Sequence, residues 1–348
     1  MASGTQKMKI YSAVKSYSQR GNLLSKGDLQ AFAESRNLDE LLTRIKNTRY
    51  ANTLGKIVAP ITAEMLESAL RVHLADIHYS IYKTSGEPAL KTYFMKFMIW
   101  NLKIILKGKI LGKTQEELES KLNLHAEELI SQRDIVLKAL VAKDLDEAVI
   151  NLSETVFGKD IEKAVTAYNE SGNIQVFDTF FDKVLTRQLA QYSRKTSDRY
   201  LYTLISMDID FYNILSVIRG RFWGLDPERI RELIEGKTAS VSQALLDRMI
   251  NAATVKDAFT ELSTTRYRHL VSQKENDMEA ISEFERNFEM AIYKSALNTF
   301  TRMFSPSTSV GITKLTGYEI RNIAAIAFGI EQKIPATVIM SKLIVDQE

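Results

Sequence analysis

Apolar residues recur at three- and four-residue spacing through "LQAFAESRNLDELLTRI", "EMLESALRVHLADIHYSIY", "VFDTFFDKVLTRQLAQY" and "FERNFEMAIYKSALNTFTRMF". That period buries one face of a helix, so each run predicts an amphipathic α-helix. Helix-start signals accompany the pattern. Ser25 with Asp28 precedes the first run, and Thr316 with Glu319 reads as a capping box before "IRNIAAIAFG". Strand-like alternation is almost absent. The pattern predicts an all-α protein.

One apolar helix, "FYNILSVIRGRFWG" at 211–224, carries an asparagine that helix interiors tolerate poorly. It is one of three. "NLKIILKG" at 101–108, "NILSVIRG" at 213–220 and "NIAAIAFG" at 322–329 share Asn, then an aliphatic residue, with Gly seven places on. Asn101, Asn213 and Asn322 are 112 and then 109 residues apart. A second landmark repeats in the same register: "LLTRIKNTRY", "AVINLSETVF" and "AFTELSTTRY". A third, an acidic residue framed by apolar ones, repeats as "LESAL", "FDTFF" and "FERNF". Three landmarks in constant order predict a triplicated unit of roughly 110 residues. The boundaries fall near 1–113, 114–225 and 226–348, each a similar helical bundle. Gly108, Gly220 and Gly329 are expected to end their helices in the left-handed conformation. The asparagines are expected to satisfy the backbone of a neighbouring chain at a buried seam.

Composition narrows the function classes. There is no cysteine, so disulfides, thiolate chemistry and Cys-based zinc sites are excluded. Lysine and arginine number 46 against 43 acidic residues, a balance that gives no footprint for nucleic acid. The opening "MASGTQKMKIYSAVKSYS" lacks the apolar core of a signal peptide. The most apolar run, "YFMKFMIWNLKIIL", is interrupted by Lys96 and Lys103 and is too short to cross a bilayer.

Stretches that imitate active sites do not hold together. "GKILGKT" at 108–114 has three residues between its glycines, where a phosphate loop needs four, and follows a helix rather than a strand. "DTFFD" at 178–182 is reminiscent of the aspartate-rich helix of magnesium-dependent isoprenoid enzymes, yet a matching second helix is only approximated by "NDMEAISEFE". His73, His78, His125 and His269 show no metal-ligand spacing. No catalytic, cofactor or metal site is predicted. Two equivalent helix ends carry cations beside the glycine, Lys107 and Lys109 in one, Arg219 and Arg221 in the other. They complement the helix dipole or meet a partner.

The opening "YSAVKSYSQRGNLLSKGDLQAFAESRNLDELLTRIKNTRY", with "LLSKGDL" and the run ending at Tyr50, resembles the C subunit of V/A-type ATP synthases, whose eukaryotic V-type ATPase counterpart is the d subunit. "GYEIRNIAAIAFG" and "KIPATVIMSKLI" resemble the family as well, with Glu319, Asn322 and Pro335 in place. The likeness spans essentially the whole chain. Phe157 departs by standing where the other units have Tyr50 and Tyr267. Met95, Lys96 and Phe97 occupy the region where an acidic residue is expected before Asn101. The resemblance implies a non-catalytic rotor part: three bundles forming a funnel with pseudo-threefold symmetry on the cytoplasmic end of the membrane proteolipid ring. The axle subunits D and F enter the funnel, torque passes through it, and the nucleotide sites lie on other subunits. A generic all-helical repeat scaffold is the competing class.

Overall fold

The computed structural model describes residues 2–55, 57–58, 60–236 and 239–346. Among them the chain is all-helical, without strands. In chain order the helices are α1 (Ala2–Gly21), α2 (Lys26–Ala33), α3 (Leu38–Lys46), α4 (Ala51–Leu54), α5 (Ala63–Ser85) and α6 (Pro88–Ile110). Then come α7 (Gln115–Glu119), α8 (His125–Leu129), α9 (Arg133–Val141), α10 (Leu145–Leu152), α11 (Gly158–Ser171), α12 (Val176–Ser193) and α13 (Arg199–Phe222). The last are α14 (Pro227–Leu233), α15 (Gln243–Asn251), α16 (Val255–Thr260), α17 (Asp277–Asn298), α18 (Pro306–Glu331) and α19 (Ala336–Lys342).

Local chemistry explains many boundaries. Ser25 caps α2 in a full capping box with Asp28, and Thr114 and Thr254 do the same for α7 and α16. The apolar run from Leu29 to Ile45 is not one helix. It breaks after Ala33, and Asn37 restarts it as α3 by accepting the Glu40 amide. Thr316 and Glu319 do not start a helix either. They lie inside α18, which begins at Pro306 behind Ser305. Proline at the first helical position loses no intrahelical bond.

The chain divides into two compact units. One comprises 1–90, 198–201 and 289–348, the other 91–197 and 202–288. The first unit thus draws on both ends of the sequence, a different partition from the one at 113 and 225. Within it, α18 packs against α5, α1, α2 and α3. Its core includes Leu29, Leu41, Ile45, Tyr50, Leu66 and Leu70, with Val310, Ile312, Ile323 and Ile326 of α18. In the second unit, α9 to α12 enclose an apolar cluster holding Met98, Phe157, Phe177 and Phe181. Phe259, Phe284 and Phe288 form another, their rings tilted so that edges meet faces.

Helix α13 alone among the described helices is long and apolar enough to cross a membrane, and 72% of its apolar window is buried in the protein. It is a core helix.

Candidate functional site

The three asparagines make one arrangement three times. The Asn213 side chain donates to the Glu235 carbonyl at 3.2 Å and accepts the Glu235 amide at 2.8 Å. Asn322 brackets the backbone of Ile344 at 2.7 and 3.0 Å, and Asn101 that of Asn123 at 2.8 and 3.2 Å. Each time the bracketed residue lies 22 places on. A carboxamide has the donor and acceptor of a peptide group, so it satisfies both backbone groups of a segment that joins no helix there. The segment belongs to the same chain, not to a neighbouring one.

The glycines also recur, but not as left-handed terminators. Gly108, Gly220 and Gly329 lie within α6, α13 and α18. The helices end in a Schellman turn, closed by bonds such as Lys113 N to Gly108 O, Leu225 N to Gly220 O and Ile334 N to Gly329 O. The left-handed residue comes four places later: Gly112 (φ 67°), Gly224 (φ 69°) and Lys333 (φ 56°). What the three glycines provide is room. A Cβ at Gly108 would collide with Leu118 Cδ2, one at Gly220 would stand 2.8 Å from Ile230 Cγ1, and one at Gly329 would collide with Ile339 Cδ1. Each allows the short helix ten residues on (α7, α14 or α19) to press against the long one. Lys333 is the departure, since a Cβ in that backbone region is strained where its counterparts are glycine. Lys333→Gly is expected to raise stability by about 0.5–1 kcal/mol, read as a higher thermal midpoint.

The second landmark folds alike in all copies. Thr48, Thr155 and Thr265 each bond the carbonyl three residues back (Ile45, Leu152, Leu262) and accept the amide two residues on. The turn aims an aromatic residue inward: Tyr50, Phe157 or Tyr267, each almost wholly buried.

From those tyrosines the structure builds two clusters that sequence reading missed. The Tyr50 hydroxyl donates to Glu319 at 2.5 Å, and Arg49 pairs with the same carboxylate while lying over the Tyr50 ring. The second Glu319 oxygen takes the Leu24 amide. Tyr267 donates to Asp210 at 2.7 Å, beside Arg266, and Asp210 also accepts the Ser240 and Val241 amides at 3.2 Å. Burial, then the adjacent carboxylate, pushes both tyrosine hydroxyls above their ordinary range. Glu319 and Asp210 each stand three residues before the repeated asparagine. At the third such place is Met98, and its aromatic counterpart is Phe157; both lie in one apolar cluster. The hydroxyl and the acid are therefore absent together.

The four cations beside the glycines are engaged inside the chain. Lys107 bonds Asp178, and Arg219 bonds Glu285 at 2.9 Å, so the acidic residue of the third landmark meets the cation before the glycine. Lys109 donates to the carbonyls of Leu140 and Ala142 at the end of α9. Arg221 donates to Ala253 just past α15, at 3.0 Å. They thus serve other helices of the chain rather than only their own dipole. In the third copy these places hold Phe328 and Ile330, and Glu67 turns to Arg71 instead. Lys103 joins Lys107 on the "DTFFD" aspartates, Lys103 reaching Asp182 at 2.7 Å. A carboxylate neutralised by lysine is a poor magnesium ligand, and no metal-binding group of residues occurs among those described. His73 bonds Thr53 and packs on the Tyr50 ring, and burial holds its imidazole down to about 4. His78 bonds the Leu90 carbonyl in the core.

Glu127 stands beside the Asn101 bracket. It is 1% exposed, one oxygen accepts from Asn101 at 2.9 Å, and the other has no partner. Burial raises its carboxyl above the ordinary value. The folded state then binds this proton more tightly than the unfolded chain. Its contribution is complete below the ordinary carboxylate pKa and is lost as pH rises through the raised one. Glu127→Gln keeps the bond from Asn101 and removes the charge. It is expected to match the parent near pH 4 and to exceed it by on the order of 1 kcal/mol at pH 8, in denaturant melts at both values.

Residues 14–342 match the model of the ATP synthase (C/AC39) subunit family. The chain is 23% identical to the A-type ATP synthase C subunit of Methanocaldococcus jannaschii, over 94% of this chain and 84% of that protein. It is 27% identical to the same subunit of Haloferax volcanii over 84% of each, and 23% identical to that of Methanobrevibacter smithii over 89% of this chain and 80% of the relative. The family match takes in all three asparagines, their glycines and both tyrosine clusters, so the chain belongs to the ATP synthase (C/AC39) subunit family.

Proposed function

We propose that this protein is a non-catalytic rotor subunit of a V/A-type ATP synthase. It links the central axle, made of subunits D and F, to the proteolipid ring on the cytoplasmic face of the membrane. In this reading the three repeated modules form a funnel about a pseudo-threefold axis, and torque passes through it in either direction. The observation that carries the reading is the asparagine bracket recurring three times with one offset and one glycine contact. Such a device fixes a connecting segment to a long helix without offering a reactive group. That is what a stiff coupling requires and what an enzyme gains little from. Membership of the family removes the unrelated scaffold and the isoprenoid enzyme as alternatives. The test is isolation of the tagged protein from detergent-solubilised membranes. Subunits D and F and the ring protein are expected in the eluate, and their absence under conditions that keep the complex intact overturns the proposal.

A further inference from the structure

Helix α1 is turned inside out. A surface helix normally buries its large apolar residues and shows polar ones to water. Here the buried residues are small or hydroxylated: Ser12, Ala13 and Ser16. Ser12 shares a 2.8 Å hydrogen bond with Ser309 of α18, and Ser16 turns back onto the Ser12 carbonyl at 2.9 Å. Apart from Tyr17, which packs edge-on against Phe300, the larger apolar residues described in α1 face outward. Tyr11 is 64% exposed, Val14 59%, Met8 48% and Ile10 42%. Tyr11 and Val14 are three apart, and Met8 stands three before Tyr11, so they share one stripe.

The charge of the segment indicates what covers the stripe. Up to residue 27 the sequence holds Lys7, Lys9, Lys15, Arg20 and Lys26, and the first acidic residue is Asp28. Lys15 is held by Ser80, and Arg20 lies over Phe300. Even so, the segment as a whole is uniformly positive in a chain whose net charge is only +3. Cations with apolar side chains on a helix that lies flat complement a surface with anionic headgroups above hydrocarbon. An acidic protein surface would match the charge, but the Tyr–Val–Met–Ile stripe demands apolar depth beneath the charge.

We infer that α1 is an anionic-lipid contact, with Tyr11 and Val14 entering the headgroup layer and the net positive charge of the segment drawing it to lipid phosphates. This does not rest on the rotor reading, because the isolated chain is sufficient to test it. Purified full-length protein is sedimented with vesicles of phosphatidylglycerol and with vesicles of phosphatidylcholine. Binding is expected to the first and not the second, and to fall as salt rises toward about 0.5 M, where the screening length is only a few ångströms. Tyr11→Glu with Val14→Glu is expected to lower the bound fraction roughly tenfold or more while leaving the thermal midpoint in place. Tyr11→Ser with Val14→Ser, which adds no charge, is the second variant should the first fold poorly. A parent protein that stays in the supernatant with phosphatidylglycerol vesicles overturns the inference. So does equal binding to both lipids, or a well-folded variant that binds like the parent. Retention of the parent on the purified ring alone, lost in the variant, would assign the stripe to a protein and overturn it as well.

Discussion

Asp210→Met is expected to destabilise the protein by about 3–5 kcal/mol, the cost of removing one member of a buried, charged network. The carboxylate is fully buried and gathers the Tyr267 hydroxyl, the Ser240 hydroxyl and the amides of Ser240 and Val241, with Arg266 beside it. Methionine satisfies none of them. The chain itself supplies a partial remedy, because the Met98 and Phe157 pair occupies the corresponding places without polar groups. Adding Tyr267→Phe and Arg266→Val to Asp210→Met reproduces the apolar version. The triple variant is expected to lose at least about 2 kcal/mol less than the sum of the single losses. Recovery should stop short of the parent, since the Ser240 and Val241 amides still lack an acceptor. Urea melts of the singles and the triple measure the coupling, and strict additivity would show that the residues act independently.

Asn213→Leu is expected to cost about 2–4 kcal/mol. Two backbone groups of Glu235 lose their partners in a site closed to water, at about 1–3 kcal/mol for each unsatisfied group. Part of that cost is relieved where the segment shifts. Asn213→Asp separates the two bonds. It can still accept the Glu235 amide but cannot donate to the carbonyl, so its loss should be smaller under acid conditions, where the carboxyl is protonated and regains a donor. A thermal midpoint unchanged in Asn213→Leu would mean that the bracket contributes nothing to stability.

What the sequence displayed and what it concealed follows from how far each interaction reaches. The asparagine bracket closes over 22 residues and the glycine contact over ten, both short against a period of roughly 110, so they recur in the same register. The helical class was legible for the same reason, since a helix bonds only four residues back. The glycine conformation was misread because the helix runs on past each repeated glycine, and the left-handed position moves to Gly112 and Gly224. The acidic partners of the tyrosines were hidden by distance. Tyr267 and Asp210 are 57 residues apart, and Tyr50 and Glu319 are 269. Comparing copies column by column does not reveal these pairs, because each joins two different copies: Phe157 falls in 114–225 and Met98 in 1–113, so the columns set Phe157 beside Asp210 and Tyr50 beside Met98. The shift of boundaries between repeats and compact units has the same origin, because α18 finds its companions among α1, α2, α3 and α5.

The link from Tyr50 and Arg49 to Glu319 also governs the timing of biosynthesis. A chain made at about 5–20 residues per second needs roughly a quarter of a minute to a minute to extend from Tyr50 to Glu319. During that interval the Leu29, Leu41, Ile45 and Leu66 faces have left the ribosome, while α18, the helix that covers them, does not yet exist. Residues 91–197 and 202–288 meet no such delay, because their partners follow close behind. The nascent protein therefore carries an unfinished apolar surface on α2, α3 and α5 until α18 has been made. That surface is where a holdase chaperone would bind and where a truncated product would aggregate.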